Sequence, residues 1–187
     1  MEQSRFPTVK ILMVCTKNLC RSPMAEALMR DALARRGCDE VEVASSGTWA
    51  ESGYGAAGSA VDALRGRGID LSSHRTRALD PSEVKDADLV VAMTSVHVRE
   101  ILDVAPDAAN KLVMLKEIPE IRMMNGNPIP ASAKERVQRL LDGTRPEARR
   151  SLDVDDPIGL PAGAYDRCVG DLRAGVDALV SVICGDH

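Results

Sequence analysis

A single-domain α/β fold, three layers deep (α/β/α) around a central four-stranded parallel sheet, is the class that this sequence predicts, and three observations predict it. Four short apolar runs, at Val9 to Val14, Val41 to Ala44, Asp88 to Met93 and Lys111 to Leu115, have strand length. Segments with helical spacing alternate with them, which implies right-handed crossovers and a parallel sheet covered on both faces. The 187 residues, 44% hydrophobic and 28% charged, have the composition of one globular domain. At this length folding buries roughly 70% of the unfolded chain's surface, so the core needs no disulfide or structural metal. Ligands of such a sheet bind beyond the carboxyl ends of its strands.

The first run follows Pro7 and ends in a polar segment that leads into Pro23-Met-Ala-Glu-Ala-Leu-Met. Ser22 is a good N-cap, Pro23 suits the first helical position, and Arg35 to Gly37 is a stop signal. After the second run come a Gly/Ser-rich loop, a helix near Ser59 to Arg67, a turn at Gly68 and an extended polar stretch from Ser72 to Arg77. Val96 to Val104 reads as the helix after the third run. Between 116 and 152 the chain turns irregular, with Gly126, Pro128, Pro130, a charged amphipathic piece from Ala133 to Leu141 and an Arg-rich link from Arg145 to Arg150. That stretch reads as a surface insertion within the 1–187 domain, because long loops cost little. Val169, Leu172, Val176, Leu179, Val180 and Ile183 then repeat at helical spacing.

Charge and composition exclude several function classes. With 24 Lys and Arg against 28 Asp and Glu the chain carries a formal charge of -4 and no long basic block, which argues against a sequence-independent nucleic-acid binder. No apolar stretch approaches the roughly 20 residues that cross a bilayer, and no signal-peptide core is present. A cytoplasmic protein without membrane attachment is expected. Cysteines 15, 20, 38, 168 and 184 form no CxxC pair and stand far from His74, His97 and His187, so neither a metal site nor a disulfide framework is expected. Cys38, Cys168 and Cys184 read as packing or surface thiols.

The sharpest chemical feature is Cys15-Thr16-Lys17-Asn18-Leu19-Cys20-Arg21-Ser22, which joins the first strand to the first helix. Five residues between Cys and Arg can wrap one tetrahedral oxyanion, with backbone N–H groups and a helix N-terminus converging on its oxygens and the Arg21 guanidinium binding two of them. The same field stabilises a thiolate, so Cys15, helped by a hydrogen bond from Ser22, is a candidate nucleophile toward phosphorus. A leaving group then needs an acid. Asp156, in Asp155-Asp156-Pro157-Ile158-Gly159, is the candidate, because Pro157 fixes a turn that could present its carboxyl over the loop. The same carboxylate could afterwards activate the water that hydrolyses a phosphocysteine, with no metal or other cofactor.

These residues resemble the low-molecular-weight protein tyrosine phosphatase family, which includes bacterial protein arginine phosphatases. Besides the loop and the Asp-Pro, the resemblance includes Ser45-Ser46-Gly47-Thr48, Gly68-Ile69-Asp70-Leu71-Ser72-Ser73-His74-Arg75, and Met93-Thr94 with His97. It implies Cys15 as nucleophile, Arg21 as phosphate clamp, Ser22 as thiolate stabiliser and Asp156 as general acid, with Asn18, Ser45 and His74 bracing the loop. It also implies that Cys20 could pair with Cys15 under oxidation. The partner it implies is a phosphorylated protein or peptide, and a monomer is favoured. Two positions depart from the family's pattern. Lys17 stands where members usually have Gly, so the backbone there either tolerates a side chain or accepts about 1 kcal/mol of strain. Ile158-Gly159 follows the Asp-Pro where tyrosine-directed members often place aromatics, leaving an aliphatic wall that Trp49 could complement.

Leu19 resembles the tyrosine-directed pattern, whereas arginine phosphatases of the family carry Thr there, and phosphotyrosine is therefore favoured over phosphoarginine. An arsenate reductase ranks lower, since Leu89 to Ile101 holds no cysteine to shuttle a disulfide. A non-catalytic phosphate sensor ranks lower still, because a pure binder needs neither nucleophile nor acid. Gly53-Tyr-Gly-Ala-Ala-Gly58 matches a dinucleotide fingerprint but lacks its strand-to-helix context and reads as a loop. His97 reads as a helix-start or surface residue, and Asp153 as solvated.

Overall fold

The computed structural model describes residues 8–124, 130–142 and 148–185; Pro7, Gly126, Pro128, the beginning of the Arg145 to Arg150 link, and His187 lie outside them. Strands β1 (Val9–Cys15), β2 (Val41–Gly47), β3 (Leu89–Ala92) and β4 (Leu112–Met114) form one parallel sheet in the order β2-β1-β3-β4. Helices α1 (Arg21–Arg36), α2 (Gly58–Arg65), α3 (Pro81–Asp86), α4 (Ser95–Val104), α5 (Ile118–Met124), α6 (Ala133–Leu141) and α7 (Ala162–Cys184) surround it.

The alternation of side chains along β1 divides the core. Ile11, Met13 and Cys15 join a large cluster with α1 and α7, while Leu12 and Val14 face a smaller cluster with α3 and α4. Both faces are buried, which explains why the strands read as near-continuous apolar runs rather than alternating ones. All four strands end on one edge. Cys15, Gly47 and Met93 are brought together there, since Cys15 pairs with Gly47 in the sheet register and Met93 N–H donates to Val14 carbonyl at 3.0 Å.

Three sequence expectations are corrected. The 116–152 stretch is not a superficial loop where it is described: Ile118, Ile121, Ala133, Val137 and Leu140 are buried in the same cluster as α7. The Ala133, Val137, Leu140 spacing is one helical face, and the many charges around it obscured how narrow that face is. Second, the helix after the Cys15 to Cys20 loop begins at Arg21 with Cys20 as the flanking residue, and Ser22 does not cap it. The Ser22 hydroxyl is spent elsewhere, as described below. Third, Cys38 and Cys184 are not thiols but a disulfide, 146 residues apart in sequence. Gly37, at φ 65°, ends α1 in a left-handed turn that delivers Cys38 against the last residue of α7. Only the closed fold makes them neighbours, so no spacing rule could pair them.

Candidate active site

The loop from Cys15 to Arg21 is shaped by Asn18. Its φ of 54° makes it the one non-glycine residue in the left-handed region among those described, a conformation asparagine tolerates better than most. Lys17 is not in that region, so no left-handed strain falls on the position that departs from the family's usual glycine. The fully buried Asn18 side chain holds the turn from three directions. Its amide donates to Ser22 Oγ and Ser45 Oγ, both at 2.9 Å, and its oxygen accepts from the Arg77 N–H at 2.9 Å. His74 Nε2 donates to the Asn18 carbonyl at 2.9 Å. The braces come from the start of α1, the end of β2 and the stretch that holds both His74 and Arg77, so the loop is set by the fold as well as by its own sequence.

Gly47 completes that support. A Cβ at this position would lie 2.6 Å from the Thr16 carbonyl oxygen and 2.8 Å from the Asn18 nitrogen, both backbone atoms of the loop. Only glycine permits the approach. Trp49 N–H donates to the Thr16 carbonyl at 2.9 Å and Thr48 N–H to the Cys15 carbonyl at 2.9 Å, which lashes the Ser45-Ser46-Gly47-Thr48 motif to the loop.

Around the sulfur, Ser22 Oγ lies 3.0 Å from Cys15 Sγ and 3.2 Å from the Ser46 carbonyl. A hydroxyl has one proton and already accepts from Asn18, so it donates to one of these at a time. A thiolate is the stronger acceptor and takes it. Arg21 is almost wholly buried; its Nη1 donates to the Val154 carbonyl at 3.2 Å and its Nη2 to Asp156 Oδ2 at 2.6 Å. The Asp156 side chain is 40% exposed, and its other oxygen accepts from the Ile158 N–H at 3.1 Å.

The segment carrying Asp156 is anchored to the sheet edge. Val154 N–H donates to the Met93 carbonyl at 2.8 Å, and Asp153 accepts from the Ser95 N–H at 2.6 Å and the Ser95 hydroxyl at 3.3 Å. Asp153 is therefore engaged at the start of α4, not solvated, because a helix N-terminus attracts a carboxylate. Cys15, Lys17, Leu19, Cys20, Arg21, Asp156 and Ile158 line one cleft of about 40 Å3.

Thr16, Asn18, Ser22, Ser45 and His74 are not part of that lining; Ser22, Ser45 and His74 act on it through their bonds to Asn18. Trp49, expected as a wall, is 64% exposed and does not line the cleft; its ring N–H donates to Glu100 at 2.7 Å. Cys20 is buried with its sulfur 3.8 Å from the Tyr165 hydroxyl, and burial pushes its thiol up to about 11. His97 is the residue that the sequence reading most misjudged. It does start a helix, but it is only 2% exposed, and its ring touches Thr16 of the loop. The signal was available in the pattern Met93-Thr94 with His97, where a Thr cap followed three residues later by His brings both side chains to one helix end. Among the described residues no group of His, Cys, Asp and Glu has the geometry of a metal site.

Comparison with known proteins agrees with this geometry. Residues 10–125 match the family model described as low molecular weight phosphotyrosine protein phosphatase. The chain is 34% identical to the probable low molecular weight protein-tyrosine-phosphatase EpsP of Ralstonia solanacearum, over 91% of this chain and 92% of that protein. It is 35% identical to the protein-arginine-phosphatase of Geobacillus stearothermophilus, over 91% of this chain and 93% of that protein. Among solved structures, the low molecular weight protein tyrosine phosphatase from T. tengcongensis superposes with a TM-score of 0.72 at 31% identity, covering 93% of this chain and 99% of that one. With the loop, its braces and the sheet order all in place, this chain belongs to the low molecular weight phosphotyrosine protein phosphatase family.

Proposed function

We propose that the protein hydrolyses phosphotyrosine in phosphorylated proteins or peptides through a phosphocysteine at Cys15, without a metal. The observation that carries this reading is the convergence of the Ser22-bonded Cys15 sulfur, Arg21 and Asp156 on one cleft. Arg21 binds two phosphoryl oxygens while Cys15 Sγ attacks phosphorus and the bond to the leaving oxygen breaks. Asp156 gives its proton to that oxygen as it leaves. In the second half the Asp156 carboxylate takes a proton from water, whose oxygen displaces Sγ from phosphorus, releasing phosphate and the thiolate. Ser22 donates to that sulfur as it regains its charge. Asp156 now lies on Arg21, so it must turn off the guanidinium to reach the leaving group. Its partial exposure leaves room for that movement.

The preference for phosphotyrosine rests on Leu19 and Ile158, two apolar side chains on the cleft that suit a ring better than a guanidinium. Phosphoarginine is the second reading, favoured by the equal similarity to the Geobacillus protein-arginine-phosphatase. Cys20, as a neutral thiol bonded to Tyr165, can resolve an oxidised Cys15 only slowly. The test of the reading is phosphate release from matched phosphotyrosine and phosphoarginine peptides, compared as kcat/KM, with reductant and chelator present. Phosphotyrosine should win, and Cys15→Ser should abolish turnover of both. A phosphoarginine preference would overturn the specificity while leaving the chemistry intact.

A further inference from the structure

His97 has no part in the chemistry above, yet it is buried against the active loop. Its Nε2 lies 2.9 Å from Thr16 Oγ1 and its Nδ1 lies 2.9 Å from Thr94 Oγ1. Thr94 in turn caps α4, accepting from the His97 N–H at 3.4 Å. On the other side, Arg21 Nη2 donates to Thr16 Oγ1 at 3.1 Å. Arginine offers no acceptor, so Thr16 accepts from it and keeps its own proton to give. With one proton and a second lone pair left, the Thr16 hydroxyl can bond Nε2 in either tautomer of His97, and Nδ1 then bonds Thr94 in the complementary sense. The result is a hydrogen-bonded chain from Arg21 through Thr16 and His97 to the start of α4.

We infer that His97 is a positioning residue for Arg21, acting through the Thr16 hydroxyl and anchored by Thr94. The inference rests on the phosphatase reading of the site. Arg21 Nη2 has two partners, Asp156 and Thr16. Once Asp156 turns away to protonate a leaving group, Thr16 is the contact that remains on that nitrogen, and the Val154 carbonyl holds Nη1. Two fixed points define the plane of a guanidinium; one would let it rotate about the remaining bond. His97 therefore matters most at the moment when Arg21 must grip the phosphoryl group with correct orientation. Burial supports the inference, since it pushes the imidazole down to about 4 and keeps it neutral, with one nitrogen to donate and one to accept.

The test exploits the shapes of two amides. Glutamine reaches as far as Nε2 and can hydrogen-bond Thr16, whereas asparagine reaches only to Nδ1 and can keep the Thr94 contact alone. The readouts are the affinity for inorganic phosphate, measured by calorimetry, and kcat and KM for a phosphopeptide, with folding checked by circular dichroism. H97Q should stay within about threefold of wild type, while H97N should lose about tenfold in phosphate affinity and a similar factor in kcat. T16V, whose change lies on the loop and spares the core, should reproduce the H97N loss, and adding H97N to T16V should cost nothing further. A residue that merely capped α4 would give the reverse order, with H97N intact and H97Q impaired, and that result overturns the inference. So do multiplying losses in the double variant, or an unchanged phosphate affinity in T16V if H97N fails to fold. Phosphate binding without any turnover by wild type would instead sink the phosphatase reading, while the affinities would still judge His97.

Discussion

At the scale of single residues, the site depends on who holds each proton. Ser22 has one to give, and its two acceptors are Cys15 Sγ and the Ser46 carbonyl. Replacing Ser22 with Ala should lower kcat by about tenfold or more, since a hydrogen bond to a charged sulfur is worth about 1.5–3 kcal/mol, and steady-state kinetics on a phosphotyrosine peptide will measure it. Asp156→Asn should cost about 10²-fold on phosphotyrosine and much less on p-nitrophenyl phosphate, whose leaving group needs no proton. Equal losses on both would remove Asp156 from the acid role. His97 gives a stability signature instead. Its folded value, near 4, lies below the ordinary 6.5, so between those limits the unfolded chain binds a proton that the native state refuses. Stability should thus fall as pH drops from about 6.5 toward 4, by on the order of 3 kcal/mol from this residue alone. Urea unfolding of wild type and H97Q at pH 7 and pH 4.5 tests this: the wild type should lose more stability on acidification, and parallel losses would contradict it.

At the scale of elements, Gly47 shows how a strand end shapes a loop it does not belong to. Gly47→Ala would press a methyl group against backbone atoms of Thr16 and Asn18, and neither can retreat without dismantling the contacts around Asn18. The variant should fold, with a cost of about 1–3 kcal/mol, yet lose most of its phosphate affinity, which calorimetry can read. The Cys15 to Arg21 loop was legible in the sequence because its spacing is local, and so was the order of strands and helices; Asp156, 135 residues from Arg21, was reached through the family resemblance. What was not legible depended on closure. The amphipathic segment Ala133 to Leu141 carries enough charge to pass for surface, and only packing against α7 reveals its buried face. Ser22 matched a cap by residue type, but the fold takes its hydroxyl for the sulfur. Trp49 was placed on the cleft by adjacency in sequence; its backbone holds the loop while its ring turns to Glu100.

At the scale of the whole molecule, the chemistry and the cross-link occupy opposite ends. The loop opens where β1 ends, whereas Cys38 lies beyond the far end of α1, joined to the last residue of α7. Closing a loop that spans 146 residues restricts the unfolded chain and stabilises the native state by about 2–5 kcal/mol. Reduction, or Cys38→Ser with Cys184→Ser, should therefore lower Tm by several degrees and leave kcat/KM unchanged. A fall in kcat/KM at temperatures where the reduced protein is fully folded would link the two ends. The proposed mechanism is covalent, with the phosphoryl group passing through Cys15. Rapid quenching of wild-type enzyme mixed with a phosphotyrosine peptide, followed by mass spectrometry of the proteolytic fragments, tests it most directly. One phosphoryl group is expected on the fragment containing Cys15, formed at least as fast as phosphate is released and undiminished by chelator. Phosphate release with no phosphorylated fragment, or with turnover surviving in Cys15→Ser, would contradict it.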